Sequence, residues 1–333
     1  QILNTVVGGV DTHKELHVAA VVDEHDRVLG TQFFPTTRHG YKQLVAWLGS
    51  FGEISRVGVE CTGTYGAGLL RYLNTRNIEV GNDYTLDAQN AAHAAYARIR
   101  AVTPKTRDGL VESLRVLKVS RKTAVAARRV ALQMIRMNIV SAPDALRDQL
   151  RNLTRMKLIR TLAAWRPDLT KYHDVSGAYK IALKSLARRY LELTDEIADL
   201  DVMIKNIVDH LAPELIAKPA VGYESAAQLL LTAGDNLERL TSEASFAALC
   251  GVSPIHRHRL NRGGDRQANS ALHSIAIGRL RTDTKTQEYV AKKLAQGHSK
   301  MEALRCVKRY LAREMFYTLK ARNTAINQTQ IAA

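Results

Sequence analysis

The sequence is poor in cysteine, in aromatic residues and in long apolar runs. Its three cysteines, Cys61, Cys250 and Cys306, are far apart and form no CxxC pair. A disulfide framework or a zinc site is therefore not expected, and a reducing cytoplasm fits. No 18-residue apolar run and no signal-peptide pattern occurs, so we expect a soluble, cytoplasmic protein with no membrane partner. Aromatic residues make up only 6% of the chain, so large aromatic stacking platforms are not expected to dominate binding.

Acidic residues are also scarce relative to basic ones. The 333-residue chain has 32 Asp and Glu against 48 Lys and Arg, which gives a net charge of +16. This balance favours phosphate-bearing partners, because basic side chains release counterions from a nucleic acid on binding. A basic protein that binds no nucleic acid is the alternative, and the clustering of cations on predicted helices argues against it. The length predicts two or three domains.

The first hundred residues alternate short apolar runs with helical segments. Residues 5–11, 17–23 and 31–35 predict three antiparallel strands. They are followed by a helix near 39–49, a strand at 56–60, a helix at 64–75, a strand at 78–80 and an Ala-rich helix at about 86–100. The order βββαβαβα is that of the RNase H and Holliday-junction-resolvase fold. We therefore predict an α/β RNase H-like (resolvase-like) catalytic domain over residues 1–105.

The middle of the chain, residues 106–212, is predicted to form long basic helices. Its expected nucleic-acid ligands are Lys118, Arg121, Lys122, Arg128 and Arg129. From about 178 to 211, apolar residues recur in alternating steps of three and four: Leu183, Leu186, Tyr190, Leu193, Ile197, Leu200, Ile204, Ile207 and Leu211. This heptad series predicts a coiled coil, used for self-association or a long antiparallel hairpin. One long helix packed on its own domain is the alternative.

The C-terminal part, residues 213–322, is predicted to be mostly α-helical and to be followed by a flexible tail at 323–333. Residues 217–235 predict a helix, a Pro/Gly turn and a second helix, as in a helix-hairpin-helix whose backbone amides suit a phosphate. A plain helical turn is the alternative. The loop within residues 246–266 is strongly basic, and its predicted phosphate ligands are Arg257, Arg259, Arg262 and Arg266. A solvated surface loop is the alternative there.

Four carboxylates are candidate catalytic residues. Asp11 and Glu60 close strands that lie side by side in this fold, and Asp87 opens the Ala-rich helix. Asp83 lies four residues earlier, on the same face as Asp87 if that segment is helical. Two-metal phosphodiester chemistry needs converging carboxylates, and Mg²⁺, or Mn²⁺ in its place, prefers oxygen ligands. We predict Asp11, Glu60 and Asp87 as metal ligands and Asp83 as a further catalytic residue. Turn, ion-pair or helix-cap roles are the alternative.

The segments around these acids resemble those of the DEDD insertion-sequence transposases, the insertion-sequence-110 family. They are residues 9–14 (GVDTHK), 59–65 (VECTGTY) and 86–88 (LDA), then 246–254 (FAALCGVSP), 261–264 (NRGG) and 269–272 (NSAL). The resemblance spans nearly the whole chain. It implies a bacterial, nucleoid-associated recombinase that cuts and rejoins donor and target DNA under the guidance of a structured RNA.

The resemblance also implies an assembly and a nucleophile. A resolvase-like N-terminal domain is joined through a coiled coil to a C-terminal transposase domain, which supplies a nucleophilic serine. The protein is expected to form a homodimer or a dimer of dimers, in which the carboxylates and the serine of another subunit complete a composite site.

The chain departs from the family pattern in two loops. The basic loop expected after Val80 is short. The usual Asp-x-x-Asp spacing would place an acid three residues before Asp87, but that position is Tyr84 and the acid is Asp83 instead. A Ser/Gly-rich loop is expected after residue 254, yet Ile255 is followed directly by His256. We therefore hypothesise that the nucleophilic serine belongs to a loop missing between Ile255 and His256.

On either side of this position, Ser253 and Ser270 are the nearest serines and therefore the remaining candidates for the nucleophile. The alternative for Ser253 is that it only shapes a Ser-Pro turn. The alternative for Ser270 is that it caps a helix or lies in an interface. Two other functions remain open at this point. One is a Holliday-junction-type nuclease that hydrolyses DNA with water, and the other is a non-catalytic nucleic-acid-binding protein.

Overall fold

The computed structural model describes residues 4–83, 88–97, 104–254, 261 and 263–331. It divides into two compact units. The first unit comprises Gln1–Glu112 together with Ala217–Ala333, and the second comprises Ser113–Ile216. In the described part of the chain, no helix is both long and apolar enough to cross a membrane.

The first unit begins with a mixed sheet. Its strands are β1 (Thr5–Thr12), β2 (Leu16–Val22), β3 (Val28–Pro35), β4 (Glu53–Glu60) and β5 (Val80–Asp83). Their order is β3-β2-β1-β4-β5. The pairs β1–β2 and β2–β3 are antiparallel, whereas β1–β4 and β4–β5 are parallel. This architecture is consistent with the predicted RNase H-like domain. The fifth strand begins two residues later than the predicted strand at 78–80.

Helices cover both faces of this sheet because successive residues of a strand point to opposite sides. Leucines of α1 (Arg38–Gly49) and α2 (Ala67–Asn74) pack on one face. The Ala-rich helix α3 (Ala88–Ala97) covers the other face at close range. A Cβ at Gly9 would lie 2.1 Å from the backbone nitrogen of Ala92, and one at Gly58 would lie 2.5 Å from the carbonyl oxygen of Ala91. Glycines of the two central strands therefore determine how closely α3 can approach.

The second unit is a helical bundle. Its helices are α4 (Leu110–Ser141, which begins in the first unit), α5 (Asp144–Leu150), α6 (Arg155–Ala164), α7 (Val175–Leu211) and the short α8 (Pro213–Ile216). The apolar seam of α7 contributes Leu183 and Tyr190 to a core shared with Ile135 of α4 and Leu162 of α6. The seam thus packs within its own unit, and a coiled coil between subunits stays a prediction.

The C-terminal half of the first unit is helical, as predicted. Its helices are α9 (Tyr223–Ala233), α10 (Glu243–Leu249), α11 (Arg266–Thr282), α12 (Thr284–Ala295) and α13 (Lys300–Ile331). Phe246 of α10 and Phe316 of α13 are buried side by side, with ring centroids 6.0 Å apart. Ser242, Asp265 and Asp283 accept backbone hydrogen bonds at the starts of α10, α11 and α12. These caps explain where each helix begins.

One sequence-based expectation needs correction here. The helix-hairpin-helix prediction placed a first helix inside residues 217–235, but α8 ends at Ile216 and only α9 lies in that segment. The turn instead packs on α11, because a Cβ at Gly278 would lie 2.6 Å from the Cβ of Ala220. The backbone of α13 is helical to Ile331, and the flexibility expected for residues 323–333 stays a prediction.

Candidate active site and nucleic-acid interface

Asp11 and Glu60 lie at the carboxyl ends of neighbouring parallel strands. The register of β1 and β4 ends at the pair Val10–Val59, and both valines are completely buried. The next residue on each strand is a carboxylate, Asp11 or Glu60. The Thr12 hydroxyl donates a 3.1 Å hydrogen bond to the carbonyl of Glu60 and so joins the two strand ends. The sheet therefore brings together two of the predicted catalytic acids.

These two carboxyl groups interact directly. Burial, together with a hydrogen bond to Asp11 and the repulsion of its charge, raises the pKa of Glu60 to about 7. The Asp11 side chain keeps 16% of its surface exposed and lies 3.3 Å from Nε2 of His13. A pair of acids that holds a proton near neutral pH is a site where a cation can replace that proton.

The turn after Glu60 explains the sequence motif that follows it. Cys61 has a positive φ of 48°, which is uncommon for a residue with a side chain and is often found at functional sites. Its carbonyl accepts hydrogen bonds from the backbone N–H groups of Thr64 and Gly66. A Cβ at Gly66 would lie 2.8 Å from the carbonyl oxygen of Glu60, so this close approach needs glycine. The motif at 59–65 thus builds a tight turn beneath the carboxylate.

The other two predicted acids have different placements. Asp83 was expected on a helical segment, but it ends strand β5, with its Cα opposite that of Glu60. The helical premise for Asp83 is therefore wrong, and the backbone of Asp83 lies beside the carboxylate pair. Asp87 lies outside the described residues, and Ala88, which follows it, is buried against Gly9.

The donor set fits a hard divalent cation only in part. Asp11 and Glu60 supply carboxylate oxygens from adjacent strand ends, which is the chemistry that Mg²⁺ prefers. Across the described ranges, however, no group of three or more His, Cys, Asp and Glu side chains could hold a metal ion. A complete metal site therefore needs at least one ligand in addition to this pair, and Asp87 is the predicted one.

The second-half motifs assemble around a turn formed by residues 251–254 (GVSP). The Asn269 amide donates a 2.7 Å hydrogen bond to the carbonyl of Gly251. Gly264 has a φ of 79°, and a Cβ there would lie 2.6 Å from a carbonyl oxygen of α10. Ser253 is half-buried, and its carbonyl accepts a 3.5 Å hydrogen bond from Asn261. Ser270 is exposed on α11. The segment from Ile255 to Leu260 lies outside the described residues.

The basic side chains of α4 that are predicted to bind nucleic acid differ in their exposure and in their contacts within the protein. Lys118 is buried, with 8% of its surface exposed. Arg121 forms an ion pair with Asp201 of α7, and the guanidinium of Arg128 lies 5.8 Å from the Tyr190 ring centroid. Lys122 and Arg129 are exposed. The role of this face in nucleic-acid binding stays a prediction.

The predicted ligands of the C-terminal basic loop are mostly outside the described residues: Arg257, Arg259 and Arg262. Arg266 is exposed at the start of α11. The structure adds a basic group that the sequence reasoning missed, on one face of α13. Arg305, Arg309 and Arg313 recur every four residues there and line one cavity. That helical spacing is the sequence signal that could have identified them.

Comparisons with known proteins match both halves of the chain. A DEDD transposase family model, described as Transposase, matches residues 8–82, and a model described as Transposase IS116/IS110/IS902 family matches residues 213–291. The first range contains Asp11 and Glu60, and the second contains the 251–254 turn. A Streptomyces coelicolor relative, named Insertion element IS110 uncharacterized 43.6 kDa protein, is 29% identical over 139 residues. The match covers 39% of this chain and 34% of that relative, about a third of the relative's length.

Proposed function

We propose that this chain, whose two halves match family models of the IS110 transposases, cuts and rejoins DNA during insertion and excision of a mobile element. The observation that carries this proposal is the contact between Asp11 and Glu60 at the ends of adjacent parallel strands. Paired carboxylates at this edge of an RNase H-like sheet suit metal-assisted phosphodiester chemistry.

The carboxylates would hold divalent metal, Mg²⁺ or Mn²⁺. Asp11 and Glu60 are in contact, and Asp87 is the proposed third ligand because its neighbour Ala88 is buried against Gly9 of β1. Asp83 is a weaker candidate, supported by its backbone position opposite Glu60. Bound metal would stabilise charge on the attacking and leaving oxygens. The protein's part is to hold the carboxylates together on two rigid strands.

A serine of the C-terminal half would be the nucleophile. Its hydroxyl oxygen would attack phosphorus as its proton leaves, and the bond to the leaving oxygen would break, which gives a covalent protein–DNA ester and a free hydroxyl end. The proposed location of this serine is the loop expected between Ile255 and His256. Guidance by a structured RNA and assembly as a homodimer or a dimer of dimers are further proposals. RNA guidance rests on the family resemblance and on the +16 charge, whereas the assembly rests on the family resemblance alone.

The test is DNA cleavage and strand joining on a junction substrate with Mg²⁺ and guide RNA. We expect Asp11→Asn to bind the DNA but to cut it at least 100-fold more slowly. Glu53→Gln is the matched control, because Glu53 is exposed at the other end of β4. Equal cutting by wild type and Asp11→Asn would contradict a catalytic role for the carboxylates.

One observation favours a second candidate, hydrolysis by water in the manner of a Holliday-junction nuclease. The sequence contains no serine between Ser253 and Ser270. A covalent protein–DNA adduct, trapped by denaturation during the reaction, would support the serine mechanism. Cleavage without any adduct, and with full activity in Ser253→Ala and Ser270→Ala, would support hydrolysis. Nucleic-acid binding without any cleavage would instead support a non-catalytic role.

A further inference from the structure

A cavity of about 360 Å³ lies beside the 251–254 turn in the C-terminal half of the first unit. Its volume falls within the usual range for pockets that take small organic groups. Val252, Ser253 and Pro254 form one side. Side chains of α12 and α13 form the other, and we refer to the whole as the α12–α13 pocket.

The α12–α13 pocket is strongly basic. The cations among its described lining residues are Lys293, Arg305, Lys308, Arg309 and Arg313. Glu243 is the one carboxylate in the same set, and it forms two hydrogen bonds, of 2.5 and 2.9 Å, with Arg309. Since that pair is mutually neutralised, the remaining excess of positive charge favours an anionic ligand such as a phosphodiester.

Two tyrosines give the pocket an aromatic side as well. The rings of Tyr289 and Tyr310 meet edge to face, with centroids 5.5 Å apart. Lys293 lies over the Tyr289 ring, with its Nζ 5.9 Å from the centroid. Tyr310 is 57% exposed although it is a large aromatic residue. An accessible ring next to several cations is the arrangement on which proteins stack a nucleobase while they hold its phosphate.

The pocket is also connected to the turn that carries Ser253. Lys308 is only 7% exposed, and its Nζ donates a 2.7 Å hydrogen bond to the side-chain oxygen of Asn269. Asn269 in turn donates to the carbonyl of Gly251. Binding in the pocket would therefore place a strand next to Ser253 and Pro254.

We propose that the α12–α13 pocket binds one unstacked nucleotide of a nucleic-acid strand, with its base against Tyr310 and its phosphate among the basic side chains. This inference rests on the proposed function, because it names the form of nucleic acid that the C-terminal half holds. A base inside a duplex is covered by its stacked neighbours, so the ligand is a single-stranded or locally opened segment.

The test is the binding of fluorescently labelled ten-nucleotide oligothymidylate and oligouridylate, measured by anisotropy in EDTA with the full chain. We expect Tyr310→Ala to weaken binding about tenfold or more, because one base–aromatic stack is lost. Tyr310→Phe keeps the ring and should bind as wild type does. Lys293→Gln should lower the slope of log affinity against log salt by about 0.7, the value of one phosphate contact on a single strand.

Tyr317→Ala is the matched control, since Tyr317 is 52% exposed on the same helix but does not line the pocket. Tighter binding of one oligonucleotide would assign the pocket to DNA or to RNA. Equal affinities of Tyr310→Ala, Tyr317→Ala and wild type, with unchanged circular dichroism, would overturn the proposal. The assay contains no metal and measures no cleavage, so its failure is distinct from that of the Asp11→Asn experiment.

Discussion

Replacing Glu60 by glutamine should stabilise the metal-free protein while it removes metal binding. The pKa of Glu60 rises from 4.5 to about 7 through burial and its contact with Asp11. At 1.36 kcal/mol per pKa unit this difference corresponds to at most about 3.4 kcal/mol. Because Glu60 is only partly buried and solvent screens its interactions, we reduce the expected destabilisation to about 1 kcal/mol. Glu60→Gln should therefore raise the melting temperature in EDTA by about 2 °C at pH 7.5.

The pH dependence of this effect has a defined sign. A carboxyl group whose folded-state pKa is raised destabilises the folded protein above that pKa, and the penalty disappears as pH falls toward 4.5. The gain from Glu60→Gln should therefore be present at pH 7.5 and be largely lost near pH 5. Differential scanning calorimetry in EDTA at these two pH values measures it.

Addition of metal should reverse the ranking of wild type and variant. If Mg²⁺ binds with a dissociation constant of about 1 mM, 10 mM Mg²⁺ stabilises wild type by about 1.4 kcal/mol. Glu60→Gln should lose most of this stabilisation, and the control Glu53→Gln should keep all of it. An equal Mg²⁺-dependent shift in wild type and Glu60→Gln would refute the assignment of this pair as metal ligands.

Substitutions at Gly9 and His17 test the sheet that holds the carboxylates. Gly9→Ala should lower the free energy of unfolding by at least about 3 kcal/mol, because the added Cβ would overlap the backbone of Ala92. Gly49→Ala on α1 is the control: its Cβ would meet nothing within 4 Å, so it should be neutral or slightly stabilising, and urea unfolding compares the two variants. Burial lowers the pKa of His17 to about 4, so the contribution of this residue to the stability of wild type should decrease as pH falls from about 6.5 to 4. His17→Phe should abolish this decrease, which we expect to be about 2 kcal/mol. Parallel curves of unfolding free energy against pH for wild type and His17→Phe would contradict the prediction.

The sheet and its two central acids were predictable because their signals are local. Apolar runs end in Asp11 and in Glu60, and neighbouring parallel strands bring their carboxyl ends to the same edge. Asp83 was misplaced because β5 is only four residues long. Its strand conformation depends on pairing with β4, and Glu60 lies 23 residues away in the chain. Short strands of this kind are determined by their partner rather than by their own sequence.

In the C-terminal half, too, local sequence signals predict the type of structure, whereas contacts between distant segments determine the rest. The sequence predicts that this half is mostly helical, but it does not predict where α12 begins and ends, and Val290 is the one buried side chain of that helix. The α12–α13 pocket was also missed, since its residues come from α10, α12, α13 and the 251–254 turn. Helical spacing alone places the three arginines of α13 on one face, whereas the packing of the helices, which includes Phe246 on Phe316, adds Lys293 and the 251–254 turn.

Residues 104–112, which follow the sheet and α3, are held by contacts with residues that are far away in the sequence. Residues 104–112 carry no recognisable motif, yet the Asn236 amide donates a 2.7 Å hydrogen bond to the carbonyl of Pro104. The N–H of Val111, near the start of α4, donates to the Asp235 carboxylate at 3.1 Å. These contacts join residues more than 120 positions apart. On the same segment, a Cβ added at Gly63 would lie 2.8 Å from the guanidinium of Arg107, so the turn that holds Glu60 contacts a linker anchored to the C-terminal half. The turn that holds Glu60 and the C-terminal helices therefore share one connecting segment, although neither set of motifs predicts the connection.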